Sequence, residues 1–213
     1  MHFWCLCLLK WRLKGSPQKV NAHDFAHEGE RNKAIPYGVY DITWNSGWVN
    51  VGIDHDTAEF AVESIKKWWL KIGSLVYPEA IRLMITADSG GSNSSRGLLW
   101  KAELQKLSDY TQLEITVCHL PPGTSKWNRI EHRLFCHITK NWRAKPLTSY
   151  ETIVNLIAHT TTKKGLKVKA ELDSGKYEVG KKVSKKEMSA LVMTRHEVNP
   201  RWNYTLKPKV IPN

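Results

Sequence analysis

Two acidic residues are placed as ligands of a shared divalent cation would be, and the first of them is Asp88. It directly follows the short apolar run 83–87 and precedes Ser89, Gly90 and Gly91. The run predicts a buried central strand, so the carboxylate is presented at the carboxyl-terminal end of a strand, where ligands and metals collect in open α/β sheets. Taken alone, this Asp-Ser-Gly-Gly sequence is more simply interpreted as a turn or a helix cap.

The second acid, Glu131, lies in a segment whose apolar residues have helical spacing. Ile130, Leu134, Phe135 and Ile138 fall on one face of the predicted helix, and Glu131 lies beside that face. One turn into the helix, its carboxylate could point back to the strand edge that carries Asp88. Taken alone, it is more simply a surface glutamate stabilised by the helix dipole. The pair predicts two carboxylates that converge on one divalent cation.

Composition bounds the class of protein. A chain of 213 residues with 41% hydrophobic content can bury one substantial core, which predicts a single main domain. The formal net charge of +12 favours a polyanionic partner, since each neutralised phosphate releases counterions. A basic soluble protein without such a partner is the alternative.

Four cysteines, at positions 5, 7, 118 and 136, form no Cys-x-x-Cys pair, and we interpret them as free thiols in a reducing compartment. A zinc site from Cys118, His132 and Cys136 is an alternative whose spacing fits no familiar signature.

The apolar run 1–9 is too short to span a bilayer and lacks the flanks of a targeting signal. It is either a buried first strand or sequence not selected for this position.

Periodicity places strands and helices around the two acids. Residues 34–42 and 48–53 predict a β-hairpin, because Asn45, Ser46 and Gly47 between them suit a tight turn. The next segment predicts a helix capped by Asp56 and Glu59 and closed by Gly73. Its apolar face consists of Ala61, Ile65, Trp68, Trp69 and Ile72.

Two further elements separate the acids along the chain. A helix is predicted from after Ser94 to Leu107, and a strand over residues 113–120 that Pro121, Pro122 and Gly123 end. The resulting order is strand, strand, helix, strand, helix, strand, helix. It predicts a mixed α/β layered domain whose sheet is partly antiparallel.

Long stretches of the chain closely resemble the DDE catalytic domain of bacterial insertion-sequence transposases of the Azo-thirteen group, the Rhodopirellula-type transposase DDE domain. The resemblance covers about residues 11–205. The stretches that carry it are AIPYGVYDI, VGIDHDTAEFAVESIKKWW, ITADSGGSN, LWKAELQKL, VCHLPPGTSKWNRIEHRLF, NWRAKPLTSYETIVNLI, AELDSGKY and RWNYTL.

The resemblance implies a ribonuclease-H-like mixed sheet flanked by helices and a triad of two aspartates and a glutamate. In the family this triad holds two divalent ions, usually Mg²⁺ and also Mn²⁺, for displacement at phosphorus. Asp88 matches the second acid of the triad, and Glu131, in WNRIEH, matches the third. Both are therefore expected to be catalytic metal ligands.

The first acid of the triad has no match in this sequence. The family carries it on an opening strand in a motif of the form Val-Asp-Thr-Lys-Lys, whereas this chain reads MHFWCLCLLK there and has no acid before Asp24. We therefore expect an amino-terminally truncated or frameshifted transposase with a lacking or altered first strand and impaired activity. Asp41 or Asp54 could substitute, although each matches a non-catalytic family position.

The remaining features predict a DNA-handling protein. Positive charge and two tryptophans surround the Glu131 helix, and they suit phosphate contacts and stacking on an unpaired base, although both tryptophans are equally interpretable as core. The predicted DNA-binding residues are Lys126, Trp127, Arg129, Arg133, Lys140 and Arg143, with Trp142 as a second stacking residue. The Lys-rich segment from Thr161 predicts a basic hairpin or extension, with a short helix over residues 184–192 and a docked end over residues 202–206.

We therefore divide the chain into a divergent segment (1–10), a partial catalytic domain (11–160) and a basic extension (161–213). The leading functional hypothesis is a transposase catalytic domain for DNA strand cleavage and transfer, acting on transposon ends and target DNA as a homo-oligomer in the bacterial cytoplasm, at the nucleoid. One alternative is a non-catalytic DNA-binding remnant. The other is an unrelated metal-dependent nuclease of this fold class that acts on RNA.

Overall fold

The computed structural model describes residues 33–121, 123–143 and 145–209. The apolar run 1–9, with Cys5 and Cys7, lies outside the described residues. The described chain forms two compact units, each with its own sheet. The first unit contains residues 33–55 and 129–176, and the second contains residues 56–128 and 177–209.

Strands and helices are mixed along the chain, as the sequence predicts. The strands are β1 (Ile35–Asp41), β2 (Ser46–Gly52), β3 (Arg82–Ala87), β4 (Glu114–His119), β5 (Lys167–Asp173), β6 (Met193–Arg195) and β7 (Asn203–Leu206). The α-helices are α1 (Ala58–Trp68), α2 (Ser74–Val76), α3 (Leu98–Thr111), α4 (Cys136–Trp142), α5 (Tyr150–Ala158) and α6 (Lys185–Ser189). Two π-helical turns, Trp69–Gly73 and Glu131–Phe135, and two 3₁₀ turns, Gly91–Asn93 and Ser125–Trp127, complete the regular structure of the described residues. The mixed α/β class is confirmed.

The first unit is built on a three-stranded sheet in the order β1-β2-β5. β1 and β2 form the predicted antiparallel hairpin, with Ile35 opposite Gly52 and Asp41 opposite Ser46. The carboxylate Oδ1 of Asp41 accepts the backbone N–H groups of Thr43 and Trp44 at 2.9 and 3.2 Å, which closes the turn. β5 runs parallel to β2, so this Lys-rich segment joins the sheet and does not form a hairpin with its neighbours.

Helices α4 and α5 cover one face of this sheet. The buried core beneath them is apolar and contains Val49, Val51, Leu134, Phe135, Ile138, Trp142, Leu147, Ile153, Ile157, Leu166 and Val168. β5 contributes Val168 to this core, whereas its neighbours Lys167 and Lys169 are exposed. The period of two residues that sends alternate side chains to opposite faces explains how a basic segment supplies a core strand.

The second unit has a four-stranded sheet in the order β3-β4-β7-β6. β3 and β4 are parallel, and β7 pairs antiparallel with β4 and with β6. The prediction that β3 is a buried central strand is wrong for the described residues, in which β3 pairs only with β4 and Met84 is 68% exposed. An apolar run shows that a strand forms but not how many strands flank it.

Three predicted helix boundaries also differ. The cap of α1 is Thr57, whose side chain accepts the N–H of Phe60 at 3.2 Å, and not Asp56. Gly73 does not close that helix, which continues through the π-helical turn to Val76. α3 begins at Leu98 because residues 94–97 form a turn closed by a bond from Gly97 N–H to the carbonyl of Ser94.

The carboxyl-terminal predictions fare better. A short helix forms within residues 184–192 and has a complete capping box between Ser184 and Glu187. The predicted docking of residues 202–206 is confirmed, because β7 pairs with β4. No helix of the described residues has the length and apolarity needed to cross a bilayer.

The cap of α1 gives a stability test. Replacing Thr57 by alanine removes the side-chain acceptor of the first helical turn and should lower the free energy of unfolding by about 1 kcal/mol. Thr57→Ser keeps the hydroxyl and should cost much less. Urea denaturation followed by circular dichroism measures both, and equal losses in the two variants would contradict the assignment of Thr57 as the cap.

Candidate active site

Asp88 lies where the sequence places it, directly after β3. The preceding residue, Ala87, is buried and pairs with His119 at the end of β4. Since β3 and β4 are parallel, both strands end at the same edge of the sheet, and Asp88 is partly buried at that edge. The expectation that a carboxylate is presented at a strand's carboxyl-terminal end is confirmed.

Hydrogen bonds hold the loop that carries Asp88. The hydroxyl of Ser89 donates to the carbonyl of Leu120 at 2.7 Å, and the N–H of Leu120 donates to the carbonyl of Ala87 at 2.7 Å. The amide Nδ2 of Asn93 donates to Oδ1 of Asp88 at 3.2 Å. Oδ2 of Asp88 accepts no hydrogen bond from the described residues, so this oxygen can accept a ligand.

A buried polar cluster lies behind this loop. Nδ1 of His119 is 3.1 Å from the backbone carbonyl oxygen of Asp88, and Nε2 of His119 is 3.2 Å from the hydroxyl of Tyr204. That hydroxyl accepts the indole N–H of Trp100 at 2.9 Å. Trp100 and Tyr204 are fully buried and His119 nearly so. No pattern in the sequence indicates this cluster.

Burial governs the protonation of this cluster. Desolvation lowers the pKa of His119, and the nearby Lys101 ammonium lowers it further, against the raising effect of the Asp88 carbonyl and carboxylate. Burial also lowers the pKa of Lys101 and raises the pKa of Tyr204. His119 and Tyr204 are therefore both neutral at pH 7.

Glu131 opens a π-helical turn in the first unit. The turn spans Glu131–Phe135, and the N–H of Cys136 reaches back five residues to the carbonyl of Glu131. A turn of this kind inserts one residue into a helix and so changes the direction of the side chains on either side of it. π-helical turns occur frequently at functional sites, which favours a functional role for the residue that begins this one.

Two glycines in the hairpin fix the position of this helix. A Cβ atom added to Gly38 would lie 2.6 Å from Cζ of Phe135, and one added to Gly47 would lie 2.5 Å from Cδ1 of Leu134. The absence of both Cβ atoms therefore lets the side chains of Leu134 and Phe135 pack directly on the sheet. Both are buried, so the turn that presents Glu131 rests on a packed core.

A shallow groove runs along the same helix. It has a volume of about 430 Å³, and its lining includes Glu131, Lys140 and Arg143. The side chains of Lys140 and Arg143 are exposed beside it. Desolvation, together with the positive charges of Lys140 and Arg133, lowers the pKa of His137 on the same helix. This surface therefore favours anions such as phosphate.

The two acids belong to different units, Asp88 to the second and Glu131 to the first. Among the described residues no three His, Cys, Asp or Glu side chains gather as metal ligands would. Of the residues in the zinc alternative, Cys118 belongs to the second unit and His132 and Cys136 to the first, and both cysteines are free thiols. The described donors also do not make up a complete two-ion centre.

Asp41 and Asp54, the two possible substitutes for the missing first acid of the triad, do not belong to any cluster of three metal-ligand side chains among the described residues. The carboxylate of Asp41 closes the hairpin turn. Asp54 is paired with Nδ1 of its neighbour His55 at 3.1 Å. Both aspartates therefore have local structural partners.

The predicted DNA-binding residues differ in exposure. Trp127 is 66% exposed, with the ammonium of Lys126 5.2 Å from the centre of its ring. Arg129 and Arg133 are exposed, like Lys140 and Arg143. Trp142, in contrast, is buried in the core of the first unit, so the prediction that it stacks on a base is wrong.

Comparison with known proteins gives a match over almost the whole chain. A family model described as Rhodopirellula transposase DDE domain matches residues 9–208. Neither the curated proteins nor the solved structures provide a match.

The glycine contacts beneath the Glu131 helix can be tested by mutation. Gly38→Ala should lower the free energy of unfolding by about 1–3 kcal/mol, because the new methyl group would overlap the ring of Phe135. Combining it with Phe135→Leu removes the overlapping ring atoms, so the double variant should be more stable than the sum of the two single losses predicts. Urea denaturation of the four proteins measures this coupling, and simple additivity would show that the contact does not position the helix.

Proposed function

Since the chain belongs to the family of Rhodopirellula-type transposase DDE domains, we propose that it is a transposase catalytic domain for metal-dependent cleavage and strand transfer of insertion-sequence DNA. The mixed α/β architecture agrees with the ribonuclease-H-like fold of that family. The single observation that carries the proposal is the family match over residues 9–208. Asp88 at the end of β3 and Glu131 at a π-helical turn support it.

In this proposal Asp88 and Glu131 are catalytic metal ligands. Carboxylate oxygens are the hard donors that Mg²⁺ and Mn²⁺ prefer, and Oδ2 of Asp88 is available for such a role. A bound divalent ion would stabilise the charge that develops on the phosphoryl oxygens. Asn93 fixes the direction of the Asp88 carboxylate through its hydrogen bond to Oδ1.

The proposed DNA contacts use exposed cations and one exposed aromatic ring. Arg129, Arg133, Lys140 and Arg143 would neutralise backbone phosphates, because charged side chains on an exposed helix face attract a polyanion without reading its sequence. Trp127 presents an indole ring to solvent and would stack on an unpaired base. We further propose that the protein acts as a homo-oligomer on transposon ends and target DNA.

We also propose that a protein of these 213 residues has impaired activity. The sequence has no acid before Asp24, so it lacks a match to the first acid of the triad. Two carboxylates carry less negative charge than three and provide fewer oxygen ligands for two ions. Weak or absent cleavage with retained DNA binding would favour the second candidate function, a non-catalytic DNA-binding transposase remnant.

Cleavage of duplex DNA tests the catalytic proposal. With Mn²⁺ or Mg²⁺, end-labelled duplexes from the DNA that flanks this gene should show weak strand cleavage. Asp88→Asn and Glu131→Gln should each reduce the rate at least about tenfold, because each removes a charged metal ligand. Glu114→Gln is the matched control, since Glu114 pairs with Lys207 at 3.6 Å and has no proposed catalytic role.

The outcomes separate the candidate functions. Cleavage that the Asp88 and Glu131 variants leave unchanged would refute the assignment of these acids. Efficient cleavage by the unaltered protein would refute the proposed impairment. Preferential cleavage of an RNA–DNA hybrid would instead favour a nuclease acting on RNA.

Salt dependence tests the proposed DNA-binding surface. Arg133→Ala and Lys140→Ala should each weaken binding of duplex DNA and reduce the slope of log K against log salt concentration by about 1, because each removes one phosphate contact. Lys209→Ala is the control, since Lys209 pairs with Asp109 at 3.7 Å and is not among the proposed DNA contacts. Fluorescence anisotropy over a series of KCl concentrations gives the slopes, and equal slopes for all four proteins would place the DNA elsewhere.

A further inference from the structure

The buried cluster of Trp100, His119 and Tyr204 ends at the backbone carbonyl of Asp88, and its three side chains come from three different elements of the second unit. Trp100 lies on α3, His119 ends β4, and Tyr204 lies on β7. The rings are in contact, with centroids 6.4 Å apart for Trp100 and His119 and 5.8 Å apart for His119 and Tyr204. The end of the cluster nearest the loop is the backbone carbonyl of Asp88.

The donors and acceptors of this cluster can be ordered in only one way that satisfies every group. The indole N–H of Trp100 can only donate, so the oxygen of Tyr204 accepts from it. The single proton of the Tyr204 hydroxyl then points to Nε2 of His119, which must be the unprotonated nitrogen. The carbonyl of Asp88 can only accept, so Nδ1 of His119 carries the proton and donates to it.

Other protonation states of His119 leave a buried group unsatisfied. With the proton on Nε2, the lone pair of Nδ1 would face the carbonyl oxygen of Asp88, and the Tyr204 proton would lose its acceptor. A doubly protonated ring would also leave that proton without a partner and would put a second positive charge near Lys101.

We propose that His119 is a positioning residue that holds the backbone of Asp88 through a one-way hydrogen-bond relay from Trp100 and Tyr204. The inference rests on the proposed function, because it gives the relay the task of orienting a catalytic acid. The carbonyl of Asp88 belongs to the peptide that links Asp88 to Ser89. A bond to this carbonyl therefore restricts the backbone torsions that set the direction of the Asp88 side chain.

The relay completes a set of three anchors on the loop. His119 bonds to the backbone carbonyl of Asp88, and Asn93 bonds to its carboxylate. The next residue, Ser89, is anchored through its hydroxyl, which donates to the carbonyl of Leu120. β3 is an edge strand in the described sheet, and its exposed residues give little packing to the loop that follows. Rigid attachment to the buried side of the unit compensates for this lack of packing.

Two substitutions at His119 separate positioning from core filling. His119→Asn places an amide N–H close to the position of Nδ1 and keeps the donor to Asp88, whereas His119→Gln extends its amide toward Tyr204. If the relay positions Asp88, the Asn variant should retain cleavage within about threefold of the parent protein and the Gln variant should lose about tenfold or more, since small misplacements of a catalytic group are costly. A residue that only fills space would give the two variants equal activities.

Two measurements that do not depend on cleavage accompany these variants. A two-bond ¹H–¹⁵N correlation spectrum of the histidine rings should show His119 as the Nδ1–H tautomer at pH 7, and Tyr204→Phe should abolish the preference. Hydrogen exchange of the Asn93 and Ser94 amides, whose acceptors Gly90 and Gly91 lie in the loop, should be at least about tenfold faster in the Gln variant than in the Asn variant. An Nε2–H tautomer or equal exchange rates would refute the relay.

The results distinguish failure of the relay from failure of the proposed function. If Asp88→Asn cleaves DNA like the parent protein, the proposed function is wrong, whatever the tautomer of His119. If Asp88 is essential but the Asn and Gln variants at His119 behave alike, the function stands and the relay does not position the acid. In a protein without measurable cleavage, the tautomer and the exchange rates decide the relay on their own.

Discussion

The hydrogen bond from His119 to the backbone of Asp88 is the constraint on which the candidate site of the second unit depends. A carboxylate that follows an edge strand gains little orientation from the strand itself, because one side of that strand makes no ladder bonds within the described sheet. Its direction must come from the loop and from the residues behind it. In this protein those residues are fully buried aromatic groups, whose positions are fixed by the packing of a helix and two strands.

Close packing positions the turn that carries Glu131. Leu134 and Phe135, in the same turn, pack into the space left by Gly47 and Gly38 of the hairpin. Steric packing of this kind resists small shifts of a helix, because any shift creates either an overlap or a void. Glu131 begins this turn and is only partly buried, whereas Leu134 and Phe135 are buried.

Local patterns predicted most of the fold, and non-local pairing explains what they missed. The hairpin, α1 and β4 follow from periods of two and 3.6 residues, so their existence was predictable. The place of β3 at the edge of the described sheet was not predictable, since an apolar run carries no information about the strands beside it. The alternation of polar and apolar residues in β5, from Lys167 to Ala170, does indicate a strand. Its high lysine content instead favoured the prediction of a basic extension outside the sheet. Thr57 and Asp56 are both good caps, and only the structure distinguishes them.

The candidate site was predictable only where a motif carried it. Asp88 and Glu131 stand in strings that resemble a known family, whereas His119 stands in the same stretch without any pattern that sets it apart. Its partners Trp100 and Tyr204 are far from it along the chain, and the pairing of β7 with β4 brings Tyr204 to it. Sequence spacing cannot reveal a relay whose members meet only through strand pairing and the packing of a helix on the sheet.

Binding and cleavage place different demands on such a chain. Attraction of DNA depends on the number of exposed cations and acts over roughly a Debye length, about 8–10 Å, so it tolerates small displacements of any one residue. Cleavage requires charged ligands at defined positions, and a displacement of about 1 Å can reduce its rate on the order of a hundredfold. Loss of one metal ligand from a transposase of this kind is therefore expected to reduce cleavage well before loss of a single exposed cation reduces DNA binding. The same physics makes the fixed orientation of Asp88 informative, because a rigidly held acid is needed for cleavage and not for binding.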